Sequence, residues 1–130
     1  DLAKFKEKSK ALQAQFDAYT VLDTIHVNGK LTMGENIGDL GGLNAAYEAY
    51  KMTAEWKAGK VVDGFTPDQR FFLAWAQVWR TTILPETAAQ LILTDSHSPG
   101  EYRTIGAPVN MDAWCFSKFV TEAGAGVLGV

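Results

Sequence analysis

Glu35 and Asp39 stand one helical turn apart in Gly34-Glu35-Asn36-Ile37-Gly38-Asp39-Leu40-Gly41-Gly42, so a helix here would carry both carboxylates on one face beside glycines that allow close approach. A helix offers a metal ligand in this way. The same stripe continues through Gly42 and Ala46, both too small to block a neighbouring group, while Ile37, Leu40, Leu43, Tyr47 and Tyr50 form an apolar stripe alongside. Two like charges at this spacing repel by roughly 0.2–0.5 kcal/mol on an exposed helix, and by more when half buried, so a cation is expected nearby. On its own an ExxxD pair more often marks a solvated helix start, where acidic groups favour the helix dipole.

A second group of polar residues lies downstream. His97 occupies Asp95-Ser96-His97-Ser98-Pro99-Gly100, where proline and glycine stiffen a turn able to present an imidazole to a cleft. A loop histidine taken alone is more often simply exposed, and Arg103 taken alone reads as a solvated surface arginine. His26 reads as a surface or edge residue. The single cysteine, Cys115, can form no disulfide within the chain and has no partner at metal-ligand spacing, so it reads as a buried structural thiol.

These residues need elements to hold them. Leu2, Phe5, Leu12, Phe16 and Tyr19 recur at helical spacing and predict an amphipathic first helix that starts without a cap. Ile25-His26-Val27-Asn28-Gly29-Lys30-Leu31 alternates around an Asn-Gly pair and predicts a type I′ hairpin. The helix bearing Glu35 and Asp39 is expected to run to about Lys57, where Ala58-Gly59-Lys60 supplies a stop. Thr66-Pro67-Asp68-Gln69 has the form of a capping box with proline at the first helical position, opening a helix apolar nearly all round and so expected to be buried. Its aromatic residues Phe71, Phe72, Trp75 and Trp79 read as core rather than as a ligand platform. A further helix from Pro85 leads through Ala88, Leu91 and Ile92 into the histidine loop, and a short last helix is expected around 111–120. The prediction is a mostly α bundle with one short β-hairpin.

Composition agrees with one compact domain: 130 residues, 47% apolar, with 12 glycines and 4 prolines. The net charge of −3 and the lack of a basic stripe interleaved with aromatics argue against a nucleic-acid partner. Lys4, Lys6, Lys8 and Lys10 read as a solvated helix face. No apolar run is long enough to span a bilayer, and neither a repeat nor a linker interrupts the chain.

The string GENIGDLGG closely resembles the GENIADLGG signature of the neprilysin family of zinc metallopeptidases, with Gly38 where the family has alanine. That change should loosen the helix by roughly 0.5–1 kcal/mol without touching either carboxylate. Two further segments carry the resemblance in the same order. Residues 65–79, FTPDQRFFLAWAQVW, look like the family's next helix, and residues 94–103, TDSHSPGEYR, are similar to its D-x-H-S-P-G-x-x-R segment. Together they cover roughly residues 1–114.

The resemblance implies a fold and a set of roles. Glu35 would be the third protein ligand to one zinc ion (Zn2+), and Asp39 would hold a ligating histidine in orientation. His97 would donate to the oxyanion formed as water attacks, with Asp95 supporting its orientation and charge, and Arg103 would grip a main-chain carbonyl of the peptide substrate while lying near Asp39. Activity would be that of a metalloendopeptidase or oligopeptidase. The family's other two zinc ligands and its general base lie in an HExxH motif, which these 130 residues lack. The chain is therefore expected to be the C-terminal part of a thermolysin-like (gluzincin) catalytic domain, with the upstream half of that domain as its partner. Residues 115–130 diverge from the family's basic, tryptophan-terminated tail, and their glycine- and alanine-rich ending suggests truncation or frameshift. The lack of paired cysteines points to a bacterial relative, periplasmic, secreted or at the cell surface. Two other readings stand beside this one: a non-catalytic helical fragment that binds a partner, and an acid–base hydrolase using Glu35 and Asp39. The latter is weak, since i and i+4 carboxylates share one face and cannot flank a bond.

Overall fold

The computed structural model describes residues 1–116. Helix α1 (Leu2–Asp17) leads into strands β1 (Thr20–Val21) and β2 (Ile25–His26), then α2 (Met33–Lys51) and α3 (Ala54–Ala58). After these come α4 (Pro67–Val78), α5 (Pro85–Thr94), α6 (Gly100–Gly106), a 3-10 turn (Pro108–Asn110) and α7 (Asp112–Phe116). The mostly α bundle with one short hairpin is thus present. The expected helix at 111–120 begins at Asp112, and its continuation, the side chain of Cys115 and the divergent tail lie outside the described residues.

Helix α2 is the central element. Its Leu43 and Tyr47 pack with Phe72 of α4 and with Met111 and Trp114 in one apolar cluster, while Ile37 faces a second cluster built on Leu12, Phe16, Val27 and Ile92. Phe72 has no exposed surface. A polar node ties α2 to the next two helices: Tyr47 Oη donates to Asp68 Oδ1 at 2.8 Å, and Trp56 Nε1 donates to the same oxygen at 2.6 Å. Burial, reinforced by Asp68, pushes the Tyr47 phenol well above its ordinary pKa, so it remains a donor.

Several local expectations hold for the physical reason given. Thr66 Oγ1 accepts from the Gln69 backbone while Gln69 Oε1 accepts from the Thr66 backbone, completing the capping box that opens α4. Helix α5 starts at Pro85, and α1 starts at Leu2 with no side-chain cap from Asp1. His26 is exposed on β2.

Other expectations are corrected. The hairpin does not turn at Asn28-Gly29 but at Leu22-Asp23-Thr24, where Val21 pairs with Ile25 and Leu22 and Asp23 adopt φ of 50° and 66°. Asn28 instead shapes the entry to α2, its Oδ1 accepting from Leu31 N–H and its carbonyl from Thr32 N–H. Gly29 is needed for close approach, since a Cβ there would lie 2.4 Å from the Gln13 carbonyl, and its N–H donates to Asp17 Oδ1. The α2 helix ends at Lys51 rather than near Lys57, because Thr53 takes extended geometry and caps α3 through the Trp56 N–H. Helix α4 is not covered all round: Ala74 is exposed and Val78 is 64% exposed. Likewise the first turns of α1 leave Leu2 and Phe5 exposed. Finally, the chain after Pro99 is not only a turn but helix α6, which carries Arg103.

Candidate active site

The site is built on the first two turns of α2 and on the segment from Asp95 to Arg103. Glu35 lies in the first turn of α2, half exposed, and Asp39 follows one turn later. Gly42 and Ala46 extend the same face into a shallow apolar groove of about 310 Å³, walled by Phe71, Trp75 and Val78 of α4. A second groove of about 530 Å³, between α1 and α2, contains none of the five candidate residues.

Asp39 has the cation that its spacing from Glu35 requires. Arg103 approaches it with two parallel bonds, Nε to Oδ2 at 2.7 Å and Nη2 to Oδ1 at 2.6 Å. Both side chains are largely buried, at 13% and 10% exposure, so water screens the pair weakly. The guanidinium also lies 3.9 Å from the centre of the Trp79 ring, and Trp75 Nε1 donates to the Arg103 carbonyl. Nη1 makes no hydrogen bond among the described residues. Trp79 is therefore not simply core, and its part in holding Arg103 was not visible in the sequence.

Helix α6 is in turn fixed from α1 and from the segment that leads out of it into β1. Tyr102 stacks on Tyr19 with ring centroids 4.5 Å apart, and its hydroxyl donates to the Thr20 carbonyl. Gly106 sits against Phe16 so closely that a Cβ would approach ring carbon Cζ to 2.4 Å, and Gln15 Nε2 donates to the Gly106 carbonyl. These contacts set where Arg103 can reach.

His97 is held within its own loop by Asp95, whose Oδ1 accepts from both the His97 backbone N–H at 2.9 Å and ring Nδ1 at 2.7 Å. The other ring nitrogen, Nε2, lies 3.3 Å from Glu35 Oε2. Each ring nitrogen thus faces one carboxylate. The His97 backbone bond, then its ring, holds the Asp95 carboxyl below its ordinary range. A depressed folded pKa contributes stability that is complete above the unfolded value and disappears as pH falls through the folded one. Wild type should therefore exceed Asp95→Asn in stability at about pH 5, with the gap closing below ~3.9 in denaturation curves.

Glu35, Asp39, Asp95, His97 and Arg103 thus lie together, although Asp39 spends its oxygens on Arg103. Asn36 and Ser98, buried beneath Glu35 and His97, join the two segments by a 2.8 Å bond that sequence reasoning missed. Among the described residues no group of three or more histidine, cysteine, aspartate or glutamate side chains could hold a metal ion. The donor chemistry nevertheless suits one ligand of a zinc site: an accessible carboxylate, with a histidine donor beside it and no lysine or arginine of its own.

Comparisons with known proteins identify the family. The model of peptidase family M13 matches residues 1–125. Human membrane metallo-endopeptidase-like 1 is 42% identical over 85% of the chain, and rat endothelin-converting enzyme 1 is 39% identical over 82%. The chain spans only 15% and 14% of their respective lengths. Among solved structures, the inhibitor-bound Mycobacterium tuberculosis zinc metalloprotease Zmp1 superposes with a TM-score of 0.78 at 40% identity, covering 93% of this chain and 19% of that one. With the family model, the relatives and the fold in agreement, this chain belongs to peptidase family M13, the neprilysin family of zinc metallopeptidases.

Proposed function

We propose that this chain supplies one zinc ligand, together with the transition-state and substrate-binding groups, to a zinc metalloendopeptidase or oligopeptidase. The observation that carries the reading is the meeting of Glu35, His97 and the Arg103–Asp39 pair on one side of α2, in a chain of family M13. Glu35 is the residue that holds the metal. Zinc, when bound, polarises the scissile carbonyl and brings the pKa of its water to about 7.

The chain's own residues do the rest by placement. Asp95 fixes the His97 ring through Nδ1, leaving Nε2 to donate to an oxygen that gains negative charge beside Glu35. Asp39 and the Trp79 face hold the Arg103 guanidinium flat, so that its Nη1 edge can donate to a main-chain carbonyl of a bound peptide. The remaining oxygen lone pairs of Asp39 can accept from a zinc-bound histidine.

The missing ligands and the general base are assigned to an HExxH motif in an upstream segment of the same catalytic domain, of which this chain is the C-terminal part. That segment would cover the groove between α2 and α4, where Val78 is 64% exposed. By family, the enzyme works outside the cytoplasm of a bacterium, in the periplasm or at the surface. No described helix is long and apolar enough to cross a membrane. The exposed groove would equally serve a non-catalytic partner-binding module, but the intact Glu35, His97 and Arg103 constellation favours catalysis.

The test is direct. The purified 130-residue chain should cleave no peptide, with or without added zinc, because it brings one ligand to a metal that needs three. Activity should appear when the chain is folded together with the HExxH-bearing segment. Chelator-sensitive cleavage by the chain alone, abolished by Glu35→Ala, would show that these 130 residues hold a complete metal site and would overturn the assignment of the other ligands and the general base to an upstream segment.

A further inference from the structure

Asn36 and Ser98 are the sequence neighbours of Glu35 and His97, and they meet in the interior. Ser98 Oγ donates to Asn36 Oδ1 at 2.8 Å, Asn36 Nδ2 donates to Thr32 Oγ1 at 2.9 Å, and Thr32 Oγ1 donates to the Asn28 carbonyl at 3.1 Å. The three side chains are only 4%, 2% and 3% exposed, so each polar group depends on its protein partner. The relay ends on a backbone carbonyl, and the amide of Asn36 is committed at both ends.

The other ties on His97 cannot set its distance from Glu35. Its two bonds to Asp95 are local, orienting the ring within the loop without fastening the loop to α2. The direct contact between His97 and Glu35 joins side chains that are 47% and 46% exposed, where water screens the attraction and long side chains move freely. Arg103 and Asp39 join α6 to α2, but further along both elements. The Ser98–Asn36 bond is the buried one, and it lies one residue from each chemical group.

We infer that Asn36 and Ser98 are positioning residues, which set the spacing between the His97 imidazole and the Glu35 carboxylate by locking the histidine loop onto α2. The inference rests on the reading that Glu35 and His97 act in one site. Both side chains are buried and spend their polar atoms on protein partners, so the effect should fall on turnover rather than on binding.

The experiment uses the full-length peptidase that contains this chain. Ser98→Ala should lower kcat by roughly 10- to 100-fold, the scale of a displacement near 1 Å between reacting groups, while KM and zinc content stay at wild-type values. The paired variant Asn36→Leu with Ser98→Ala removes both polar partners, leaves Thr32 bonded to Asn28, and should recover the Tm lost in Ser98→Ala. Its kcat should stay low. Wild-type kcat in Ser98→Ala, recovery of kcat together with Tm in the paired variant, or loss of zinc from Ser98→Ala would each overturn the inference. Glu35→Gln separates the two levels: zinc retained in that variant brings down the underlying reading. Zinc lost there, with Ser98→Ala at full kcat, brings down only the positioning role.

Discussion

Replacing Glu35 by glutamine should strip zinc from the intact peptidase, whereas replacing His97 by alanine should leave the metal in place and remove turnover. The two side chains lie 3.3 Å apart, so proximity alone predicts the same phenotype for both. Their chemistry predicts different ones. A carboxylate ligand contributes charge as well as a lone pair, and the neutral glutamine amide keeps the shape while losing the charge. His97 is bound to Asp95 through Nδ1 and offers Nε2 to the cleft, which is the geometry of a donor to developing negative charge. Loss of one such donor costs about 10²–10³ in kcat, with KM little changed. Metal analysis beside steady-state kinetics decides the matter. Equal zinc stoichiometry in the two variants would contradict the assignment, and so would a His97→Ala enzyme that fails in KM alone.

What the sequence disclosed about this site follows from the range over which its interactions act. The i, i+4 spacing of Glu35 and Asp39, the Thr66–Gln69 capping box and the proline that opens α5 act within one or two turns, and each appears in the structure as read. The Asn28-Gly29 pair misled because the same dipeptide serves two purposes. Its usual value in a hairpin is a positive φ, but here Gly29 is used to let α1 come close, and the positive φ values fall on Leu22 and Asp23. The break between α2 and α3 depends on Thr53 choosing its own cap over helix continuation, a competition that periodicity does not register.

Contacts across long sequence separation were hardest to foresee. Ser98 and Asn36 are 62 residues apart, and nothing in either neighbourhood says that one hydroxyl and one amide will be buried together. Trp79 likewise looks like the last aromatic of a core helix until α6 lays Arg103 against its face. The need for a cation beside Asp39 could be argued from charge alone. Which cation it is required the family motif, and how it is held required the structure.

The second large effect is expected at that pair. Asp39→Ala removes both bonds to Arg103 and leaves a guanidinium that is 13% exposed without an anion. Breaking one partner of a buried ion pair typically costs about 3–5 kcal/mol, roughly a fifth or more of the ~5–15 kcal/mol by which a domain is stable. The Trp79 face remains and returns only about 0.5–2 kcal/mol, so it cannot substitute for the carboxylate. Asp39→Asn keeps the volume and one acceptor, and it should lose less than the alanine variant while still losing the charge-assisted part. The double variant Asp39→Leu with Arg103→Met should recover most of the stability, because an apolar pair of similar size carries no uncompensated charge. It should not recover activity, since Arg103 is then gone from the cleft. Denaturant unfolding of the four proteins tests the order: wild type and double variant close together, Asp39→Asn below them, and Asp39→Ala lowest. A cost under about 1 kcal/mol for Asp39→Ala would place the pair with solvent-screened surface bridges, and Arg103 would then be held in the site by Trp79 and α6 rather than by Asp39.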